Sequence, residues 1–206
     1  MLTKITHIFF DIGSTLVDET ECYNHRIREV IEGTDITFEQ FTEKRIFFQK
    51  QNLKGYLEAI NFFGLKKTSW HREDERLYPE TEDILRYLRD KGYLIGVIAN
   101  QGLGTEKRLE NWGIRKYFDS VTASAEEGVA KPDLEIFRRA LNKAGCSAGN
   151  SVMIGDRLDN DIAPANSLGM RTVWIKQGFS VYCSPTCPQE RTDYIISNLM
   201  ELKNIL

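Results

Sequence analysis

The chain has 206 residues, 41% of them hydrophobic and 28% charged, with a formal net charge of -3. That length suits one ordinary domain or a domain carrying a large insertion, and the charge balance gives no general attraction to nucleic acid or to an anionic membrane. No apolar run approaches the roughly 20 residues of a membrane span, and no apolar segment separates Lys4 from Asp11 as a signal peptide would require, so the expected location is cytoplasmic.

In chain order, the first element is a short apolar run. Ile5, Ile8, Phe9 and Phe10 predict a buried strand that stops at a lone carboxylate, Asp11. Gly13, Ser14 and Thr15 follow and suit a tight turn. In an α/β protein, chemistry gathers where parallel strands end at their carboxyl edge. Asp11 there is a nucleophile, a metal ligand or both; an Asp that merely caps a turn is the plainer alternative.

Residues 18–76 show no strand pattern. Tyr23, Ile27, Val30 and Ile31 recur at helical spacing, as do Phe38, Phe41, Ile46, Phe47 and Phe48, and then Leu53, Tyr56, Leu57 and Ile60. Gly33 and Gly64 break the pieces. The region predicts a helical module whose aromatic stripes form its own core and its seam with the main domain, rather than a ligand box.

A regular alternation starts at Pro79. Helices are expected over 80–89, 105–112, 132–144, 160–168 and 198–206, with proline in the first turn or glycine after the last at most of them. Strands are expected over 93–98, 120–123, 151–154, 172–175 and 194–196. Strands alternating with helices imply right-handed crossovers and a Rossmann-like parallel sheet in a three-layer α/β/α sandwich. The expected organisation is a core domain of residues 1–17 and 77–206, with residues 18–76 inserted as a helical cap. There are four cysteines, Cys22, Cys146, Cys183 and Cys187. Cys183 and Cys187 lack the further ligands of a zinc site and read as two loop thiols.

Four strand ends carry polar residues. They are Asp11, Asn100, Lys131 in Gly-Val-Ala-Lys-Pro-Asp, and Gly-Asp-Arg-Leu-Asp-Asn-Asp over 155–161. Asp11 and Asp156 at close range would repel. A divalent cation removes that cost, and oxygen ligands of this kind suit Mg2+, with Asp161 able to reach a metal-bound water. Lys131 supplies a fixed positive charge for a phosphate, and Asp159 reads as a helix cap. A surface lysine and a simple Gly155-Asp156 turn remain the plainer alternatives.

Together these stretches resemble the haloacid dehalogenase-like superfamily. Asp11 with Thr15 and Leu16 is similar to its first motif, the strand ending at Ala99-Asn100 occupies its second, residues 128–137 are similar to its third, and Val-Met-Ile-Gly-Asp followed by Asp161 to its fourth. The resemblance implies attack by Asp11 on a phosphoryl group of a small phosphorylated molecule. It implies Mg2+ held by Asp11, the Gly13 carbonyl, Asp156 and Asp161. Lys131 would stabilise charge and bind substrate, with Thr15 and Asn100 as further substrate contacts. It also implies a small cap that closes over the site, in a monomer or homodimer.

Two positions depart from the pattern. The family's phosphatases carry an acid–base Asp two residues after the nucleophile, where this chain has Gly13. The second motif ends in Thr or Ser, where this chain has Ala99. A slow or restricted phosphohydrolase is therefore expected, with Glu19, Glu21 or His25 as substitute proton donors. The alternatives are a non-catalytic or regulatory module and a metal-independent 2-haloacid dehalogenase.

Overall fold

The computed structural model describes residue 2 and residues 4–206. In chain order the elements are β1 (His7–Phe10), β2 (Val17–Asp18), α1 (Thr20–Ile31), α2 (Phe38–Gln49), α3 (Gly55–Phe63), β3 (Arg76–Leu77), α4 (Thr81–Asp90), β4 (Leu94–Ala99), α5 (Thr105–Asn111), β5 (Ser120–Ala123), α6 (Ser124–Glu127), α7 (Leu134–Ala144), β6 (Ser151–Gly155), α8 (Ala163–Ser167), β7 (Arg171–Ile175) and β8 (Tyr194–Ile196). The chain divides into two compact units. One comprises Met1–Val17, Leu77–Gln177 and Pro185–Leu206; the other comprises Asp18–Arg76 and Gly178–Ser184. β2 and β3 form a two-stranded sheet where the chain passes from one unit to the other and back.

The first unit is built on a six-stranded sheet in the order β5-β4-β1-β6-β7-β8, every neighbouring pair parallel. Side chains alternate across a strand, and two separate cores result. Ile8 and Phe10 of β1, Val97 of β4 and Ile154 of β6 join Ile84, Leu85 and Leu88 of α4 and Leu109 of α5. Phe9, Ile98 and Met153, from the same three strands, join Ile136, Phe137 and Ala140 of α7 and Ala165 of α8. The apolar faces of these helices thus cover both sides of the sheet, which makes the three layers expected from the alternation. At Gly96 the strand passes so close to its neighbours that an added Cβ would lie 2.7 Å from the Phe9 ring and from the Ser120 hydroxyl, so only glycine fits there.

Several boundaries differ from expectation. The helix expected over 132–144 starts at Leu134, because Asp133 is its N-cap and accepts the Glu135 N–H at 2.9 Å. The helix expected over 160–168 is split into a π-turn, Leu158–Ile162, followed by α8. The Arg157 carbonyl accepts from both Asp161 N–H and Ile162 N–H, at 2.8 and 3.3 Å. The widened turn accompanies a buried Asp161 carboxylate. The last helix is a 3-10 helix, Leu199–Asn204.

That terminal helix begins in a capping box. Glu201 accepts the backbone N–H of Ser197 at 2.9 Å and of Asn198 at 3.0 Å, and the Ser197 hydroxyl at 2.8 Å. The backbone hydrogen bond from Ser197 is the largest influence holding its carboxyl below the ordinary value of 4.5. Glu201→Ala is expected to lower stability by about 1 kcal/mol at neutral pH, the usual worth of a cap. A depressed folded-state pKa stabilises above the unfolded value and ceases to as pH falls through the folded one. Urea unfolding of wild type and variant should therefore diverge at neutral pH and converge in acid.

The second unit packs α1, α2 and α3 around Ile27, Val30, Phe41, Tyr56, Ala59 and Ile60. Thr37 and Gln40 form a capping box at the start of α2. Gly178–Ser184 belongs to this unit as well, although the sequence pattern places it in the core domain. The attachment is specific. Arg45, 2% exposed, stacks on the rings of Tyr23 and Phe179. Gln49 donates to the Cys183 sulfur at 3.2 Å, and Asn52 donates to the Ser184 carbonyl at 2.6 Å. No disulfide joins any of the four cysteines. Among the described residues no helix is long and apolar enough to cross a membrane.

Candidate active site

β1 is central, with β4 on one side and β6 on the other. The connections leaving β1's neighbours therefore run to opposite sides, and a crevice opens at their carboxyl ends. Asp11 lies there. Its N–H donates to the Ile154 carbonyl at 2.9 Å, extending the β1–β6 pairing by one residue. The turn that follows is tight. Leu16 and Val17 N–H both donate to the Ile12 carbonyl, and Ser14 N–H donates to the Val17 carbonyl at 2.8 Å. The left-handed residue of this turn is Ser14, with φ of 54°, and not Gly13.

Lys131 lies at the middle of a buried ion-pair network. Its Nζ donates to Asp11 Oδ1 at 2.7 Å and to Asp161 Oδ1 at 2.6 Å. The side chains of Lys131 and Asp161 are 2% and 1% exposed, while Asp11 is 12% exposed. Asp11 is therefore the most exposed member of this network. Burial opposes the lysine's charge, but the two carboxylates outweigh it and raise its pKa. Burial also pushes the Asp161 carboxyl up, against the pull of Lys131 and with the charge of Asp11 adding to the rise.

Asp161 is held from a second side by the Arg157 N–H, which donates to Oδ2 at 3.0 Å. Gly155 makes room for it. A Cβ there would come within 2.6 Å of the Asp161 Cβ. Asp156 is buried, and its carbonyl accepts the Trp174 indole N–H at 2.8 Å. Carboxylate oxygens of Asp11, Asp156 and Asp161 lie within 4.8 Å of one another. Three carboxylates face one lysine, so the cluster carries excess negative charge on hard oxygen donors. That donor set fits a small divalent cation such as Mg2+.

The structure gives two expected substrate contacts different surroundings. The Asn100 side chain closes on the Lys131 backbone: its amide donates to the Lys131 carbonyl at 2.8 Å, and its oxygen accepts the Lys131 N–H at 2.7 Å. These two bonds position the lysine and engage the oxygen and one of the two N–H donors of the Asn100 amide. Thr15 is fully buried, and its hydroxyl has no hydrogen-bond partner among the described residues. Asp159 pairs with the Arg157 guanidinium at 3.0 and 2.5 Å instead of capping a helix. The roles of Arg157 and of the Asn100 clamp had no sequence signal, since each depends on residues brought together by the fold. Of the expected proton donors, Glu21 accepts from Asn24 at 2.8 Å and His25 Nδ1 meets Asp74 Oδ2 at 2.8 Å. Glu19, Glu21 and His25 all belong to the second unit.

The chain is similar to known proteins over nearly its whole length. Residues 8–175 match the model of the haloacid dehalogenase-like hydrolase family. The chain is 32% identical to a glyceraldehyde 3-phosphate phosphatase of Methanocaldococcus jannaschii, over 98% of this chain and 97% of that one. It is 25% identical to the human N-acylneuraminate-9-phosphatase, over 100% and 95% of the two chains. Among solved structures, a HAD phosphatase from Thermococcus onnurineus matches with a TM-score of 0.65 and 25% identity, over 98% of this chain and 97% of that one. The motifs at the four strand ends point to this same group, and the chain belongs to the haloacid dehalogenase-like hydrolase family.

Proposed function

We infer that the protein is a Mg2+-dependent phosphatase acting on a small phosphorylated metabolite through a phosphorylated Asp11. The observation that carries this reading is the contact of a partly accessible Asp11 with a buried Lys131, beside two further carboxylates. With Lys131 bonded to Oδ1, attack is assigned to Oδ2. That oxygen forms a bond to phosphorus while the ester P–O bond breaks and its electron pair leaves on the alcohol oxygen. Water then attacks phosphorus, the Asp11 oxygen leaves, and free carboxylate and inorganic phosphate are restored. Lys131 stabilises the charge on Asp11 and on the transferring phosphoryl oxygens. Asn100 keeps the lysine in place through its backbone. Asp11 and Asp156 would hold Mg2+ together with the Gly13 carbonyl and Asp161, and the ion would neutralise phosphoryl charge.

Glyceraldehyde 3-phosphate is the first substrate to test, given the names of the similar archaeal enzymes. The expected result is phosphate release that requires Mg2+ and is abolished by EDTA. Saturating Mg2+ should also raise thermal stability, by about 2.7 kcal/mol at 100 times its Kd. Phosphate release unaffected by EDTA, or none from a panel of phosphate monoesters, overturns the reading.

Gly13 carries no proton, so departure of a poor leaving group lacks a positioned acid in this turn. Turnover is expected to depend steeply on leaving-group pKa, with a nitrophenyl or acyl phosphate far better than a sugar phosphate. The Gly13 backbone is not left-handed, so Gly13→Asp needs no compensating change at Ser14. It should raise turnover of sugar phosphates by about 10²-fold and that of nitrophenyl phosphate little, within the usual worth of general acid catalysis. Equal turnover of the two substrate types by the wild type would show that another residue donates the proton.

A further inference from the structure

The second unit contains a cluster to which the steps above assign no role. His25 and Glu29 are one turn apart on the same face of α1. His71 comes from the segment just before a 3-10 turn, Arg72–Asp74. The two imidazoles stack with centroids 3.7 Å apart and planes 9° apart. Each ring has its Nδ1 against its own carboxylate: His25 Nδ1 is 2.8 Å from Asp74 Oδ2, and His71 Nδ1 is 3.1 Å from Glu73 Oε1. Each ring then turns its Nε2 toward Glu29. His71 Nε2 is 2.8 Å from Glu29 Oε2, and His25 Nε2 is 3.9 Å from Glu29 Oε1. Ligand atoms of His25, Glu29 and His71 all lie within 4.8 Å of one another.

We propose that His25, Glu29 and His71 bind a divalent transition-metal ion of the zinc type. Three features support this. Two imidazoles and one carboxylate make a nitrogen-rich set that prefers zinc, cobalt, nickel or copper to Mg2+. Each imidazole has an outer carboxylate on the nitrogen opposite its ligand atom, the arrangement that fixes ring orientation and raises basicity at metal sites. Three carboxylates, Glu29, Glu73 and Asp74, surround the two imidazoles, so a divalent cation taking the place of the Nε2 protons would offset much of their negative charge. A tetrahedral zinc ion needs bonds of about 2.0–2.1 Å and ligand atoms roughly 3.3 Å apart. The side chains of His25 and Glu29 are 41% and 36% exposed, which leaves them free to rotate toward that spacing when a metal binds. With three protein ligands a fourth position stays open to water.

The competing arrangement is a histidine pair held only by ion pairs and hydrogen bonds. It distinguishes itself in a titration of the full chain with Zn2+ alone, followed calorimetrically, with Mg2+ in excess to occupy the carboxylates of Asp11, Asp156 and Asp161. One Zn2+ per chain is expected, insensitive to Asp156→Asn. His25→Gln and His71→Gln should each weaken it by more than about 100-fold. Glu73→Gln and Asp74→Asn should weaken it by about 10–100-fold, the usual effect of losing an outer carboxylate. Co2+ bound in place of zinc should give visible absorption that disappears in His25→Gln. If His71→Gln does not fold, the more exposed His25→Gln decides the question. No Zn2+ uptake under excess Mg2+, or uptake unchanged in the histidine variants, overturns the proposal.

Discussion

Asp11→Asn is expected to reduce phosphate release on the order of 10⁴-fold or more, the loss seen when a nucleophile that forms the covalent intermediate is removed. The amide cannot form the acyl phosphate, although it keeps the size of the side chain and a hydrogen-bond acceptor for Lys131. Stability should change far less than activity, because Lys131 keeps its 2.6 Å contact with Asp161. Steady-state kinetics and a urea melt on the same preparation separate the two effects. If the Asp11→Asn variant kept more than about a hundredth of wild-type activity, Asp11 would lose the nucleophile's place.

Lys131→Met is expected to damage stability as well as catalysis. The lysine is the shared partner of Asp11 and Asp161, and its removal leaves the buried Asp161 carboxylate without its cation. Breaking one side of a buried pair costs about 3–5 kcal/mol. Activity should fall on the order of 10²–10³-fold, as when one stabilising donor is lost from a transition state. The remedy is specific. Adding Asp161→Asn removes the stranded charge and should restore much of the stability but none of the activity. Denaturant unfolding of the single and double variants makes the comparison. A single variant as stable as wild type would mean that the network does not hold the lysine's charge in place.

The architecture of the first unit was written in short-range pattern. Ile8, Phe9 and Phe10 alternate between two faces, and the helices after Pro79 each carry one apolar stripe, so a parallel sheet covered on both sides follows from residue spacing alone. Asp11 and Asp156 were also legible, because each directly follows a recognisable strand, and Lys131 and Asp161 because each lies in a motif between a strand and the next long helix. The helices of residues 18–76 followed from apolar spacing in the same way. Contacts between residues far apart in the chain were not legible. Asn100 grips the backbone of a lysine 31 residues away, and no local pattern distinguishes that clamp from a ligand contact. The π-turn at Leu158–Ile162 replaces a helix because Asp161 is drawn inward by Lys131 and the Arg157 N–H, an energy that local propensity does not contain. Gly178–Ser184 joined the second unit through Arg45, Gln49 and Asn52, over 130 residues away for the Gln49 and Asn52 hydrogen bonds. The spacing of His25 and Glu29 on α1 was visible in the sequence, yet His71, 42 residues beyond Glu29, was not. Side chains that converge from distant segments do so because burial of the cores fixes the backbone first, and only the folded chain shows which polar groups are left facing one another.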